Sequence, residues 1–461
     1  MSYSVGSFSE DQLYRELAGI PCIWEDAKSN PRAKYLFDYL RHLGATTIVT
    51  ETGYIDAASF ELFVTGDTDS GPLQDGYLGF IVARPLPSAI IGRTVVKTYP
   101  SENGRRNYTC LRTYHVNLFG IELSVESLAF QEQDTSLAAC ATVALWSCFQ
   151  KTRDMFNSGL PSPVVITRAA NQLLRSARPF PSRGLTIEQV CNAIASVGLD
   201  PEVYPVQPDL PLVSMAYSYL RLGVPVLLIF KVENIGLHGV ALNGYSMRPS
   251  RQLAREGGSG VLPFLVGSRI DEFYSHDDQA GPFSKLKIIE APDEKSSVRF
   301  AATNWKGDLT PCALVVPVNP KIRTGFREVI SWIPRLSVLI GFVRDATQFE
   351  WDIHLTSSNQ LKKLVREDQN AVPADVRTSL LIEGLPKYLW RCILSISTVP
   401  AFEMLLDTTA MVRGFPVLRI WWPDEALKKE LGKKLQGPAV GPILAQVLTT
   451  RLYEKVIAGF S

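Results

Sequence analysis

The pattern of apolar and polar residues divides the chain into three stretches of different character. In residues 1–125, the segment 31–43 repeats apolar and aromatic residues at spacings of three and four, which indicates a helix. Short runs of strand character follow it, separated by segments rich in Gly, Pro and Asp such as TGDTDSGPLQDG. The pattern predicts a mostly β N-terminal domain with a leading helix.

The middle stretch, residues 126–318, begins with helical patterns and continues with strands. Helical spacing occurs at 140–153, 186–197 and 213–222, and strand-like runs follow at 224–230, 238–245, 270–276, 284–291 and 311–318. Helices that precede consecutive strands are typical of an α+β domain. The connection at 246–268 is long for a link between strands, which predicts a flap or lid.

The last stretch, residues 319–461, mixes both periodicities. Helices are predicted at 357–368, 424–434 and 441–458, and strands at 388–396, 402–409 and 416–422. We therefore predict a mixed α/β C-terminal domain, and three domains in an α+β protein as a whole. That number suits a chain of 461 residues.

The charge balance argues against polyanionic partners. Lys and Arg total 47 and Asp and Glu total 46, which gives a net charge of +1. The longest apolar runs, such as PVLLIF, are too short to cross a bilayer, and the N-terminus has no signal-peptide pattern. We expect neither nucleic acid nor a membrane as the partner.

Cysteine usage and missing motifs restrict the chemistry further. The seven cysteines are scattered without a C-x-x-C pair, which argues against a disulfide framework or zinc site and fits a reducing, cytoplasmic setting. No phosphate-binding or dinucleotide-binding glycine motif occurs. His276, Asp277 and Asp278 are adjacent, but neighbouring residues of a strand point to opposite faces. We therefore expect neither a cofactor nor a metal.

Cys140 lies where a polar, turn-prone run passes into a small, apolar, helical run. A thiol at the start of a helix meets free N–H groups and the positive end of the dipole, which favour a thiolate. The alternative is a packing residue, because cysteine is often buried and AACATVALW is typical of tight helix packing. Cys148, two turns later, is predicted to be such a packing residue.

Two further residues complete a possible catalytic set. His238 opens a strand of apolar residues between Gly236 and Gly239, so it is either a general base that projects into a cleft or a core histidine. Asp277, at the end of the next strand, either orients the imidazole or belongs to an ordinary turn. The order thiol, histidine, carboxylate favours the catalytic interpretation.

The stretch QDTSLAACATVALW, followed by HGVALNGY and DDQAGPF, resembles the papain-like cysteine peptidases, most closely the C39-like branch. The shared pattern is a Gln, then a Cys on a helix, then H-x-V-x-x-x-G-Y, then D-P-x-x-G. The resemblance covers about residues 126–292. It implies a central domain of helices followed by an antiparallel sheet, flanked by the other two domains.

The resemblance also implies roles for single residues. Cys140 is the nucleophile, His238 the general base and Asp277 the orienting carboxylate, with Asp278 as the alternative. Acyl transfer to the thiol and then to water needs no cofactor, and the implied substrate is a protein or peptide.

The resemblance further implies a glutamine side chain that donates to the oxyanion. Gln133 fits this role and Gln131 is the alternative, although Gln133 precedes Cys140 by seven positions where the family usually has six. That departure and the large flanking domains leave open an inactive papain-like module that binds a protein partner through those domains. A transglutaminase-like acyl transferase is the other alternative, because it uses the same order of Cys, His and Asp with an amine as the acceptor.

Overall fold

The computed structural model describes most of the chain. The described residues are 5–7, 31–42, 47–49, 53–55, 70–84, 89–118, 120–133, 140–172, 184–207, 211–233, 236–248, 264–289, 298–369, 372–409 and 416–435. The predicted helix at 441–458, the turn at 134–136 and most of the predicted lid lie outside these residues. None of the described helices is long and apolar enough to cross a membrane.

The N-terminal part contains an antiparallel sheet of five strands. Its elements are β1 (Val5–Ser7), α1 (Pro31–His42), β2 (Thr47–Val49), β3 (Gly53–Ile55), α2 (Ser70–Gly76), β4 (Tyr77–Ala83) and β5 (Ile91–Val96), and the strands are ordered β1-β2-β3-β4-β5. Helix α2 falls in the TGDTDSGPLQDG segment, which the sequence predicted as a break between strands. The helix forms there because it buries Leu73 in the core.

The central part is built on one antiparallel sheet. The elements that lead into it are β6 (Arg106–Asn107), the hairpin β7 (Arg112–Leu118) and β8 (Ile121–Ser127), α3 (Cys140–Phe156), α4 (Pro163–Ala170), α5 (Ile187–Ser196), β9 (Asp200–Pro205) and α6 (Leu212–Leu220). The strands that follow are β10 (Val226–Val232), β11 (Gly236–Met247), β12 (Phe264–Leu265), β13 (Ile270–Asp277), β14 (Gly281–Ile289), β15 (Arg299–Ala302) and β16 (Thr310–Val318). The strand order is β15-β14-β13-β11-β10-β16-β9, and β6 also pairs with β11.

The C-terminal part adds a second sheet with helices. Its elements are α7 (Phe326–Ile330), α8 (Ile333–Gly341), β17 (Phe349–Ser357), α9 (Ser358–Glu367), α10 (Ala374–Ile382), β18 (Tyr388–Ile396), β19 (Val399–Asp407), β20 (Val417–Trp421) and α11 (Glu425–Leu435). The sheet order is β12-β17-β18-β19-β20, and only the short β12–β17 pair is parallel. The predicted α+β class with antiparallel sheets is confirmed. The domain boundaries and the papain-like assignment stay predictions.

Helix α3 is buried over most of its length. Eleven of its residues are buried, including every residue from Ala141 to Gln150. Small side chains at its start allow it to lie close to β11, where a Cβ added to Gly239 would be 3.7 Å from the Ala141 Cβ. The first turn of α3 is therefore held against the first residues of β11.

One cluster of buried side chains extends from the central sheet into the C-terminal sheet. All nine residues of α6 are buried, and the Tyr219 ring lies 5.5 Å from that of Trp390 on β18. Phe326 packs on the other side of Trp390, with ring centres 6.2 Å apart. Helix α6 is buried on all sides because it packs against strands of both sheets, β10 and β11 of the central sheet and β17 of the C-terminal sheet.

Candidate active site

Cys140 is the first residue of α3 and its side chain is half-buried. The N–H groups of a first helical turn have no partners within the helix, and the dipole places positive charge there. Cys148 lies two turns further along and is fully buried, and burial raises the pKa of its thiol. The two thiols of α3 therefore have very different surroundings.

His238 is buried near the start of β11, at the same end of the sheet as Cys140. Gly236, two residues before it, has a φ of 113°, which favours glycine and permits the tight entry into this strand. The His238 ring packs between Phe230 at 5.4 Å and Trp305 at 5.0 Å between ring centres. Aromatic rings therefore restrict the position of the imidazole on two sides.

Asp277, the last residue of β13, is hydrogen-bonded through both carboxylate oxygens. His238 Nε2 lies 2.9 Å from Oδ1, which also accepts a hydrogen bond from the Gln279 backbone N–H at 2.9 Å. Oδ2 accepts hydrogen bonds from Asn304 Nδ2 at 3.1 Å and from the Trp305 indole N–H at 3.0 Å. Four donors therefore stabilise a buried carboxylate in its ionised form.

The pKa values of this pair shift in opposite directions. Burial by itself lowers the pKa of His238, but the Asp277 charge and hydrogen bond, the Cys140 side chain and the Asp278 charge together raise it well above its ordinary value. Burial by itself raises the pKa of Asp277, but the charge and hydrogen bond of His238, the Gln279 N–H and the Trp305 indole together lower it. The histidine and the carboxylate therefore each stabilise the charged form of the other.

Asp278 lies farther from His238 than Asp277 does. Its Oδ1 lies 3.7 Å from His238 Nε2, farther than Asp277, and its Oδ2 accepts a hydrogen bond from Gln279 Nε2 at 3.1 Å. Of the two adjacent carboxylates, Asp277 therefore makes the direct hydrogen bond to the histidine.

The alternative to a catalytic pair is a metal site formed by the same side chains. One ligand atom from each of His238, Asp277 and Asp278 lies within 4.8 Å of the others. A ligating histidine must be neutral, however, and the carboxylates raise the pKa of His238. Both oxygens of Asp277 already accept hydrogen bonds from protein donors. The surroundings favour a proton between the histidine and the carboxylate over a cation.

His276, next to Asp277, belongs to a separate contact. It is fully enclosed, its Nε2–H donates to the Leu128 carbonyl at 2.9 Å, and its Nδ1 accepts from the Asn243 amide at 3.1 Å. Burial lowers the pKa of His276 to about 4, so the ring is neutral. His276 therefore links the chain at Leu128 to the central sheet, and it is not part of the His238–Asp277 pair.

The two candidate glutamines lie just before the undescribed segment 134–139, and both are half-buried. Between them, the Glu132 carboxylate accepts a hydrogen bond from the Ile91 N–H at 3.0 Å, which holds this part of the chain to β5. Within the described residues, no hydrogen bond joins Gln131 or Gln133 to Cys140 or His238. The oxyanion role of Gln133 stays a prediction.

Asn304 and Trp305 are site residues that sequence reasoning missed. They lie in the loop after β15, far from the motif residues in the sequence. β15 is the second strand from β13 in the sheet, and its loop lies beside Asp277 at the end of β13. A tryptophan in the polar run TNWKGD was the available signal, because a half-buried indole N–H usually has a hydrogen-bond partner.

Comparison with the models of known protein families gives no match, and the comparison with curated proteins gives none either. The candidate function therefore depends on the geometry of these residues and on the resemblance of the motifs that carry them.

Proposed function

We propose that the protein is a cysteine peptidase or isopeptidase that acts through Cys140, His238 and Asp277. The observation that carries the proposal is the buried His238–Asp277 hydrogen bond of 2.9 Å, on a strand whose first residues pack against the helical turn that Cys140 begins. A histidine base near a thiol at a helix N-terminus is the arrangement that nucleophilic cysteines use.

The reaction uses the two nitrogens of His238 differently. Nε2–H donates to Asp277, which leaves Nδ1 to exchange a proton at the Cys140 side. The Cys140 thiolate attacks the carbonyl carbon of a peptide or isopeptide bond and forms a C–S bond. The tetrahedral oxyanion then collapses, the C–N bond breaks, and Nδ1–H protonates the leaving amine.

Water completes the cycle at the same atoms. Nδ1, now neutral, takes a proton from a water molecule, whose oxygen attacks the thioester carbon. The C–S bond breaks, the carboxylic acid leaves, and the thiolate and the imidazolium are restored. Asp277 keeps the imidazole oriented and stabilises its charge throughout, and the reaction needs no cofactor.

Selective alkylation tests the proposal. At neutral pH we expect iodoacetamide to modify Cys140 at least about tenfold faster than Cys312. Cys312 is the matched control because it is also half-buried, but its sulfur contacts the Thr310 carbonyl and not a histidine. Equal rates would contradict a catalytic Cys140 and would favour the inactive, partner-binding module.

Turnover requires a second measurement. A peptide library incubated with the protein should yield cleaved products that disappear in Cys140→Ala and persist in Cys312→Ala. A labelled amine added to the same reaction separates hydrolysis from acyl transfer. Stable incorporation of the amine that depends on Cys140 would favour the transglutaminase-like alternative.

We also propose a cytoplasmic location. All six cysteines of the described residues are free thiols, including three that are buried. A nucleophilic thiol among other free thiols is maintained most readily in a reducing compartment. Finding the native protein oxidised in cells, with disulfides among these six residues, would contradict this assignment.

A further inference from the structure

An open cleft with many basic residues lies on one face of β13, β14 and β15. Its volume is about 530 Å³, and the turn before β6 and the end of β11 form its other walls. Five cationic side chains line it, which are Arg105, Arg106, Arg248, Lys285 and Lys287. The whole chain has a net charge of only +1, so the concentration of cations here is local.

Carboxylates neutralise the arginines but not the lysines. Asp271 pairs with Arg105 at 2.5 Å and with Arg248 at 2.6 Å, and Glu102 pairs with Arg106 at 3.2 Å. Within the described part of the chain, Lys285 and Lys287 make no ion pair. Glu272 also lines the cleft, opposite Lys287 on β13, so the five cations face the three carboxylates Glu102, Asp271 and Glu272. The cleft therefore keeps an excess of positive charge, and its lysines lie outside the ion pairs.

The two lysines have a regular spacing. They are alternate residues of β14, where Lys285 pairs with Tyr274 and Lys287 with Glu272 on β13, so both point to the same face. Alternate residues of a strand are roughly 7 Å apart. Alternate side chains of an extended peptide have the same spacing, so acidic residues at every second position can meet both lysines.

A second cavity adjoins this cleft and extends to residues that hydrogen-bond Asp277. It has a volume of about 500 Å³ and shares Lys285 and Thr303 with the basic cleft. Its walls also include Gln279 and Asn304, two of the residues whose N–H groups hydrogen-bond Asp277. The two cavities form a groove that begins at hydrogen-bond partners of Asp277 and ends at the lysines.

We propose that this groove binds an acidic segment of the peptide or protein substrate, with carboxylates of alternate residues at Lys285 and Lys287. The inference rests on the proposed peptidase function and specifies its substrate class. An extended peptide is favoured over a small anion because the groove is long and because the lysine spacing matches that of an extended chain. The segment is held away from the bond that is cleaved, so it contributes affinity and not chemistry.

Direct binding tests the groove without relying on catalysis. The full-length chain with Cys140→Ala is titrated with a fluorescein-labelled short peptide that carries Glu at alternate positions, and with the same peptide carrying Gln. We expect binding of the Glu peptide, at least about tenfold weaker binding of the Gln peptide, and weaker binding at high salt. Equal binding of the two peptides would overturn the proposal.

Charge-neutral variants locate the binding. Lys285→Gln/Lys287→Gln should weaken binding of the Glu peptide about tenfold, because two charge contacts are lost. Lys363→Gln/Lys429→Gln, which removes two exposed lysines of the C-terminal part, is the matched control and should bind normally. Unchanged binding in the first variant would refute the site, and competition by pyrophosphate with no binding of the Glu peptide would refute a peptide ligand.

Activity assays of the native chain distinguish a failure of this inference from a failure of the proposed function. Peptidase activity with a lower KM for substrates that carry a distal acidic segment supports both. Cleavage without that preference overturns the groove alone. Binding of the Glu peptide at the lysines without any cleavage by the native chain overturns the peptidase and leaves the groove as a peptide-binding site.

Discussion

His238 is a buried histidine whose charge is set by its neighbours. Burial disfavours the imidazolium, and the Asp277 carboxylate at 2.9 Å more than compensates for that cost. The carboxylate is itself held by Gln279, Asn304 and Trp305. The site therefore depends on residues that would never contact a substrate carbonyl.

Replacing Asp277 separates its role from that of Asp278. In Asp277→Asn the charge is lost and burial remains, so the pKa of His238 should fall below that of an ordinary histidine. Asp278→Asn should lower it much less, because Asp278 lies 3.7 Å away and contributes less to the shift. NMR titration of the His238 ring measures both, and an equal effect of the two variants would contradict Asp277 as the orienting residue.

His276 predicts a loss of stability in acid. Its pKa is about 4 in the folded protein against 6.5 when unperturbed, so the unfolded chain binds more protons between these values. The contribution of His276 to stability should therefore be fully present above pH 6.5 and decrease as the pH falls, by about 3 kcal/mol at pH 4. Urea unfolding at several pH values measures the decrease.

A variant without the imidazole isolates this contribution. His276→Gln should be less stable at neutral pH, because it loses buried hydrogen bonds, but should lose less further stability on acidification. His115→Gln replaces an exposed histidine and should keep the decrease of the native protein. An undiminished decrease in His276→Gln would show that another group is responsible.

At the scale of elements, α1 docks against the hairpin that carries Asp277. Tyr35 of α1 donates a hydrogen bond to the Pro282 carbonyl at 2.9 Å, directly after Gly281. Gly281 has a φ of 153°, and a Cβ there would lie 2.3 Å from Tyr35 Cδ1. The close approach of helix and hairpin requires glycine at this position.

Adding a methyl group at Gly281 should separate these two elements. We expect Gly281→Ala to destabilise the protein by at least about 2 kcal/mol, through the clash and the strained backbone. Gly384→Ala is the matched control, because no atom of the described residues lies within 4 Å of its added Cβ. Thermal unfolding measures both, and the cost of Gly281→Ala should shrink in a Tyr35→Ala background if the clash is the main cause.

At the scale of the whole molecule, the central and C-terminal sheets share one group of buried side chains. Trp390 is fully buried between Tyr219 and Phe326, and its indole N–H donates to the Thr324 carbonyl at 2.7 Å. A cluster that includes residues of both sheets couples their stability. The C-terminal part is therefore expected to support the part that holds the candidate active site.

Trp390→Ala tests this coupling. Loss of a buried tryptophan should cost about 3–5 kcal/mol. Hydrogen exchange should accelerate in β10 as well as in β18, because α6 packs between the two sheets. Ile382→Ala, which truncates a side chain that is 80% exposed, should change neither strand. Acceleration confined to β18 would show that the two sheets unfold independently.

The periodicity of the sequence was sufficient to predict most regular elements. The strand predicted at 388–396 is β18, and the helix predicted from 140 begins at Cys140. These segments were recognisable from their residue patterns. An element with one buried face repeats apolar residues at the helix or strand period, and a fully buried element is a continuous apolar run. β9, β15, β17 and the short helices α4, α7, α8 and α10 were among the elements missed. The helices, β9 and β15 have patterns too short or too mixed to separate from loops. β17 was recognisable, because FEWDIHL alternates apolar and polar residues.

The candidate site divides in the same way. The sequence by itself determined the residue types and their order, with Cys140 at a helix start, His238 opening a strand and Asp277 ending another, because these positions follow from local pattern. Only the tertiary structure decided that Asp277 and not Asp278 makes the direct hydrogen bond to His238, and that Asn304 and Trp305 hold the carboxylate. It also decided that Lys285 and Lys287 lie in a groove that extends to Asn304. Those contacts join residues that are separated in the chain. They depend on which strands pair, and strand pairing cannot be predicted from a short stretch of sequence.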